Sequence, residues 1–285
     1  MTVLFPSSLD EALDDLSDPD VSVLAGGTDF MVEVNAGRRR PDTVLFLGRM
    51  AELRTVAVDD DSVRLGATVT YTQMLQPPLA GALPALAQAA RTVGSPQIRN
   101  AGTIGGNLGT ASPAGDTIPV LAALEAIVEV AGPSGRRDIP IGEFVVGVKR
   151  NALGPGELIV GVRIPRRPGY QEFRKVGVRN AMVISVASLA LALDTDGREV
   201  RCALGSVGPG PVRATEAEEW LAGALDWDHL TDQEAPDLAH FGRLVAAAAR
   251  PIDDHRGTAD YRRHAVGVLA ARAAAQALAA GGMAA

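Results

Sequence analysis

The chain has 285 residues, 47% of them hydrophobic, with a formal net charge of -7. A chain this long buries roughly three quarters of its unfolded surface, so a large core is available to two or three lobes. The acidic balance argues against binding nucleic acid through its phosphate backbone. No apolar run approaches the ~20 residues of a membrane-spanning helix, and a cytoplasmic protein without a membrane span is expected.

In chain order, Ser8-x-x-Glu11 reads as a capping box, and Leu9, Ala12, Leu13 and Leu16 follow at helical spacing, so a helix is expected to begin the protein. A strand over 21–24, a glycine turn, a short helix over 30–36 and a strand over 43–47 then form a small β-α-β unit. Arg38, Arg39 and Arg40 read as a solvated turn before Pro41, with a ligand or docking contact as the alternative. From about residue 53 the pattern changes to strand pairs: 55–58 and 63–65 alternate as a hairpin around Asp59-Asp60-Asp61. Thr70-x-x-Gln73 caps a short helix, 83–93 reads as a longer one and 117–124 as another, before strands at 126–130, 137–141 and 158–164. Residues 166–169 form a connector. Beyond it, strands at 170–178, 186–193 and 200–207 make an antiparallel meander, and helices at 214–221, 238–249 and 261–280 supply apolar stripes such as Val266, Leu269 and Ala270.

The most informative segment is 93–116, where glycines at 102, 105, 106, 109 and 115 are interleaved with Thr103, Asn107, Thr110 and Ser112. Glycine lets backbone N–H groups approach a ligand and adopt positive φ, which is the grammar of a phosphate cradle. The same grammar occurs in Ala25-Gly26-Gly27-Thr28-Asp29. Two cradles point to a pyrophosphate.

Several familiar sites are excluded. The chain has two lysines, Lys149 and Lys175, and neither follows a P-loop pattern. No glycine cluster has the spacing and strand context of a Rossmann fingerprint; Gly205-x-x-Gly208-x-Gly210 reads as a loop. Cys202 is the sole cysteine and reads as a buried small hydrophobe, which rules out a cysteine-ligated iron–sulfur cluster within this chain. The four histidines, all in the last quarter, lack zinc-site spacing and read as structural or surface residues.

Ala25-Gly26-Gly27-Thr28-Asp29, together with the 97–107 run ending Gly102-Thr103-Ile104-Gly105-Gly106-Asn107 and with Ala111-Ser112-Pro113-Ala114-Gly115-Asp116, closely resembles the FAD-binding medium subunit of molybdenum hydroxylases such as xanthine dehydrogenase and carbon monoxide dehydrogenase. Residues 157–165, Asp254-His255-Arg256-Gly257 and Tyr261-Arg262-Arg263 extend the resemblance over essentially the whole chain. It implies an α+β fold: a two-lobed FAD-binding domain of the vanillyl-alcohol-oxidase type over 1–168, with lobes of about 1–52 and 53–168, and a smaller C-terminal α+β domain over 169–285.

The resemblance also implies FAD between the lobes. Backbone amides of Ala25, Gly26, Gly27, Thr28 and Asp29 and of Thr103, Ile104, Gly105 and Gly106 would surround its pyrophosphate, with hydroxyls from Thr28, Thr103 and Thr110 and support from Asn107. Asp116 has two readings, an acceptor for a ribose or ribityl hydroxyl and a helix N-cap. Leu158 or Ile159 and Lys175 match positions that approach the isoalloxazine; Lys175 is either a cation near the ring or an exposed strand lysine. No tyrosine stands in 179–182, where some relatives place one against the ring.

The implied partners are a molybdopterin-binding large subunit and a small [2Fe-2S] subunit, with electrons leaving through FAD to NAD+, oxygen or a quinone. The lone cysteine departs from the branch resembling 4-hydroxybenzoyl-CoA reductase, whose flavin subunit carries its own cluster. A self-contained FAD oxidase or dehydrogenase acting directly on a small organic substrate is the alternative, and a non-enzymatic assembly subunit a third.

Overall fold

A computed structural model describes residues 1–282. The chain opens with a strand, β1 (Thr2–Leu4), and the expected first helix, α1 (Leu9–Asp15), comes second. Ser8 caps α1 by accepting from the Glu11 amide at 3.2 Å, while Glu11 turns back to the amide and hydroxyl of Ser7 instead of the Ser8 amide. β2 (Val21–Leu24), α2 (Phe30–Asn35) and β3 (Thr43–Phe46) complete the first lobe, whose three strands are parallel in the order β1-β3-β2. Parallel pairing puts the 25–29 turn at the carboxyl end of β2, the edge where open parallel sheets bind ligands.

The second lobe begins with β4 (Val56–Val58) and β5 (Ser62–Gly66), after two 3-10 turns at Leu47–Arg49 and Ala51–Arg54. Six short helices follow: α3 (Tyr71–Met74), α4 (Leu79–Ala82), α5 (Pro84–Thr92), α6 (Pro96–Ala101), α7 (Ile104–Thr110) and α8 (Thr117–Ala123). Thr70 and Gln73 form a full capping box at α3, with the Thr70 amide 2.9 Å from Gln73 Oε1. β6 (Ile127–Gly132), β7 (Gly135–Pro140), α9 (Ile141–Phe144), a small ribbon of β8 (Val145–Gly147) and β9 (Arg150–Asn151), and β10 (Leu158–Pro165) close the lobe.

The main sheet is antiparallel, in the order β4-β5-β10-β6-β7. A bulge between Ile159 and Gly161 breaks the β10–β6 register. Leu158 and Val160 join the apolar core of the first lobe, while Ile159 and Val162 join that of the second. The bulged strand is therefore the seam between the lobes, in keeping with the habit of bulges to re-aim side chains beside binding sites.

The third region is a four-stranded antiparallel sheet of β11 (Gly169–Val176), β12 (Ala187–Asp194), β13 (Glu199–Gly205) and β14 (Val212–Arg213), covered by α10 (Thr215–Ala224), α11 (Leu238–Ala248) and α12 (Ala259–Ala279). Every residue of β12 is buried. Its alternation sorts by size: Leu189, Leu191 and Leu193 pack among the helices, whereas Ala190 and Ala192 belong to the second lobe's core. Small side chains on that face let α8, itself wholly buried, lie against the sheet. Among the described residues no helix is long and apolar enough to cross a membrane.

Candidate functional site

The three regions enclose one large cleft of about 1170 Å³, longer and roomier than the roughly 300–1,000 Å³ typical of a small-ligand pocket. Its first wall is the 25–29 turn. Gly27 has φ +73°, and Gly26 sits so close to the end of α6 that a Cβ there would overlap the carbonyl oxygen of Ala101. The two glycine-rich runs are thus neighbours in space. Among the described residues, the amides of Gly26, Gly27, Thr28 and Asp29 donate to no protein acceptor. Four unpaired N–H groups lining a cleft suit an anion carrying several oxygens.

The second run behaves differently from the expected cradle. It is two short helices, and none of the glycines at 102, 105, 106, 109 and 115 has positive φ. The Ile104 amide donates to Val69 O at 3.0 Å and the Gly105 amide to Ala67 O at 2.9 Å, so these N–H groups tie α7 to the β5–α3 connection. The Gly106 amide is taken by Thr103 Oγ1 at 3.0 Å, and the Asn107 amide by Thr103 O. The small residues serve packing here: a Cβ on Gly105 would lie 2.7 Å from Ala67 O. Ile104 and Leu108 anchor the buried face of α7, which leaves Thr103, Gly106, Asn107, Gly109 and Thr110 on the cleft.

Of the expected cofactor residues, Ala25, Gly26, Gly27, Thr28, Asp29, Thr103, Gly105, Gly106, Asn107, Thr110, Asp116, Leu158 and Ile159 line this cleft. Ile104 and Lys175 do not: Ile104 is in the core, and Lys175 lies behind Asp116. Asp116 stands at the N-cap position of α8 but makes no capping bond. Its Oδ2 accepts from Lys175 Nζ at 2.6 Å and from Thr92 Oγ1 at 3.3 Å, and its Oδ1 is buried without a partner among the described residues. Burial pushes the Asp116 carboxyl above the usual carboxylate range, opposed by the Lys175 ammonium. Asn107 Oδ1 accepts from Thr117 Oγ1 at 2.5 Å, which fixes the side chain beside Gly115.

Sequence reasoning missed other lining residues. Tyr71, first in α3 behind the Thr70 cap, is buried against Gly102; burial raises its phenol above the ordinary range, with the Asp116 and Asp29 carboxylates adding to the effect. Arg39 is no solvated turn residue: its guanidinium covers the Phe30 ring at 4.3 Å and donates to Ser22 Oγ at 3.2 Å. Asn151 donates from Nδ2 to Gly109 O at 2.8 Å and so connects the β8–β9 ribbon to α7. None of these carries a local signal beyond residue type, because each is brought in by tertiary contact.

At the other end of the cleft lie Met182, Val183, Ile184 and Ile252, with Asp254, Arg256 and Arg262. Arg262 is buried and donates to Val186 O at 3.0 Å, Ser206 O at 2.8 Å and Asp254 Oδ1 at 2.5 Å. Burial alone would raise the Asp254 carboxyl, but hydrogen bonds from the Arg256 amide and guanidinium and from Arg262 hold it well below the usual carboxylate range. Arg262 of the Tyr-Arg-Arg motif thus ties α12 to the start of β12, the end of β13 and Asp254 of the Asp-His-Arg-Gly motif.

Two family models match the chain: "FAD binding domain in molybdopterin dehydrogenase" over residues 1–167 and "CO dehydrogenase flavoprotein C-terminal domain" over 171–277. The chain belongs to this flavoprotein family. The glyceraldehyde dehydrogenase medium chain of Sulfolobus acidocaldarius is 34% identical, the match covering 93% of this chain and 94% of the relative. The carbon monoxide dehydrogenase medium chain of Hydrogenophaga pseudoflava is 30% identical over 94% of this chain and 93% of its own.

Among solved structures, Cu,Mo-CO dehydrogenase in its cyanide-inactivated form superposes with a TM-score of 0.88 at 28% identity, covering 98% of each chain. Quinoline 2-oxidoreductase from Pseudomonas putida 86 gives 0.88 at 25% identity, covering 99% of this chain and 98% of its own. The flavoprotein is accordingly an α+β oxidoreductase subunit whose cofactor is FAD. The residues present fit that group, since unpaired amides, an orphaned buried carboxylate oxygen and an extended cleft are what a diphosphate, a polyol and a long dinucleotide require.

Proposed function

We propose that this flavoprotein is the electron outlet of a heteromeric molybdenum hydroxylase, receiving electrons from iron–sulfur clusters on a small subunit and delivering them to NAD+, oxygen or a quinone. A molybdopterin-binding large subunit would carry the substrate chemistry. The medium-chain and FAD-subunit names of the relatives support the reading. The observation that carries it is the cleft, lined by the 25–29 turn with its unpaired amides at 26–29 and by Asp116, whose Oδ1 is buried without a hydrogen-bond partner among the described residues.

When bound, FAD supplies the exchange of electrons between one-electron and two-electron partners. The chain's own residues bind and orient it. The 26–29 amides hold the diphosphate in place of a lysine, with hydroxyls of Thr28, Thr103 and Thr110 beside them. Asp116, which lines the cleft, would accept from a ribose or ribityl hydroxyl, and Asn107 keeps the 107–117 contact closed. Leu158 and Ile159 present an apolar wall that excludes water. Cys202, the one thiol, is fully buried and free, so the clusters belong to another polypeptide, and a reducing, cytoplasmic compartment suits it.

The test is to purify the chain with whatever accompanies it. A yellow preparation containing FAD, with a large pterin-binding chain and a small cysteine-rich chain, is expected. Bleaching of the isolated flavin by an organic substrate without those partners would overturn the subunit reading in favour of a self-contained oxidase.

A further inference from the structure

Lys149 is one of two lysines in the chain, and it stands at the tip of the β8–β9 ribbon with φ +53°. Its amide donates to Ala111 O, just past α7, at 3.1 Å, which fixes the base of the side chain to the second lobe. From there its ammonium reaches Glu33 Oε1, on α2 of the first lobe, at 3.2 Å. Both residues line the cleft. Among the described residues this is the one hydrogen bond or ion pair between residues 1–47 and the chain beyond residue 54. Elsewhere the two lobes meet through apolar packing, chiefly where Leu158 and Val160 join Leu9, Leu16 and Leu45 in one core. The lobes therefore share an apolar seam at β10 and a single polar link at the rim of the cleft.

We propose that Lys149 and Glu33 form a clasp that governs cofactor exchange: paired, they hold α2 of the first lobe to the ribbon of the second, and they must part before FAD enters or leaves. The assignment rests on the cleft being the FAD site. A dinucleotide held between two lobes leaves when the lobes separate at the rim, and the clasp is the polar contact which that motion breaks. With 57% of the lysine and 36% of the glutamate side chain exposed, the pair is solvated, weak enough to open often and sensitive to salt. The lysine acts through its pairing with Glu33, while the diphosphate is left to the 26–29 amides.

The test loads the full-length chain with FAD and follows its release by flavin fluorescence, at low and high salt, in the wild type, Lys149→Met, Glu33→Gln and the double variant. Each single variant is expected to release FAD about 2–5-fold faster, the range of an exposed ion pair, and the double variant no faster than either. Added salt is expected to quicken the wild type and to leave Lys149→Met nearly unchanged. Lys149→Glu combined with Glu33→Lys, which reverses the pair, is expected to restore slow release. Single effects that multiply in the double variant mean two independent residues and overturn the clasp. So does slower release from Glu33→Gln, which means that the glutamate restrains an ammonium acting on the diphosphate itself. If Lys149→Met does not fold at its positive φ, Glu33→Gln and the reversed pair carry the same readout. A wild-type chain that takes up no FAD overturns the cofactor reading and the clasp with it, whereas wild-type binding with unaltered release from Lys149→Met sinks only the clasp.

Discussion

The carbonyl oxygen of Ala101 occupies the place where a side chain on Gly26 would project, so the turn after β2 and the end of α6 meet backbone to backbone. Gly26→Ala must part them. Overpacking of this kind costs about 1–3 kcal/mol. The expected outcome is a lowered Tm and loss of most bound FAD, measured by thermal melting and by the flavin absorbance per chain.

Thr103 has two duties, capping α7 through the Gly106 amide and presenting its hydroxyl to the cleft. Thr103→Val removes both, at a cost of about 1 kcal/mol for the cap. Thr103→Ser keeps both. Chemical denaturation and FAD titration of the two variants check this: the serine variant is expected to follow the wild type and the valine variant to fall short in both.

Asp254 gives a pH prediction with a definite sign. Its folded-state pKa lies below the ordinary 3.8, so the stability it contributes is present in full above 3.8 and is lost as pH falls from there through the lower folded-state value. Asp254→Asn leaves Arg262 buried without its counter-charge, a loss on the order of 3 kcal/mol. The gap in Tm between variant and wild type is expected to be widest near neutrality and to narrow progressively as pH falls below about 4.

Cys202 has no exposed surface, and burial pushes its thiol upward, with the Glu218 carboxylate adding to the effect. A thiol reagent is expected to leave the native chain unlabelled and to modify one site per chain after unfolding. Labelling at the same rate in both states would contradict the placement.

Periodicity made the strands at 21–24, 158–164 and 186–193 and the long helix near 261–280 legible, since each has an apolar pattern that only one element satisfies. β1 escaped because three residues at a half-exposed position carry almost no pattern. α7 escaped because Gly105, Gly106 and Gly109 read as loop, yet Ile104 and Leu108, four apart, are its buried stripe. In the site, the first turn was visible as a motif, whereas the spent amides of Ile104 and Gly105 depend on acceptors some 35 residues away, Val69 and Ala67. Lys175 is not the exposed strand lysine of one of its two readings, since its side chain is nearly buried. Its partner is 59 residues distant, and no local spacing encodes such a pair.

Because β12 is lined with leucine toward one core and alanine toward the other, its sheet is a party wall between two hydrophobic interiors. Neither side can melt without stripping the other of its cover. Calorimetry should therefore record a single cooperative transition, and a fragment ending at the 166–168 connector should come out insoluble, since it would expose the alanine-facing surface of α8 to water.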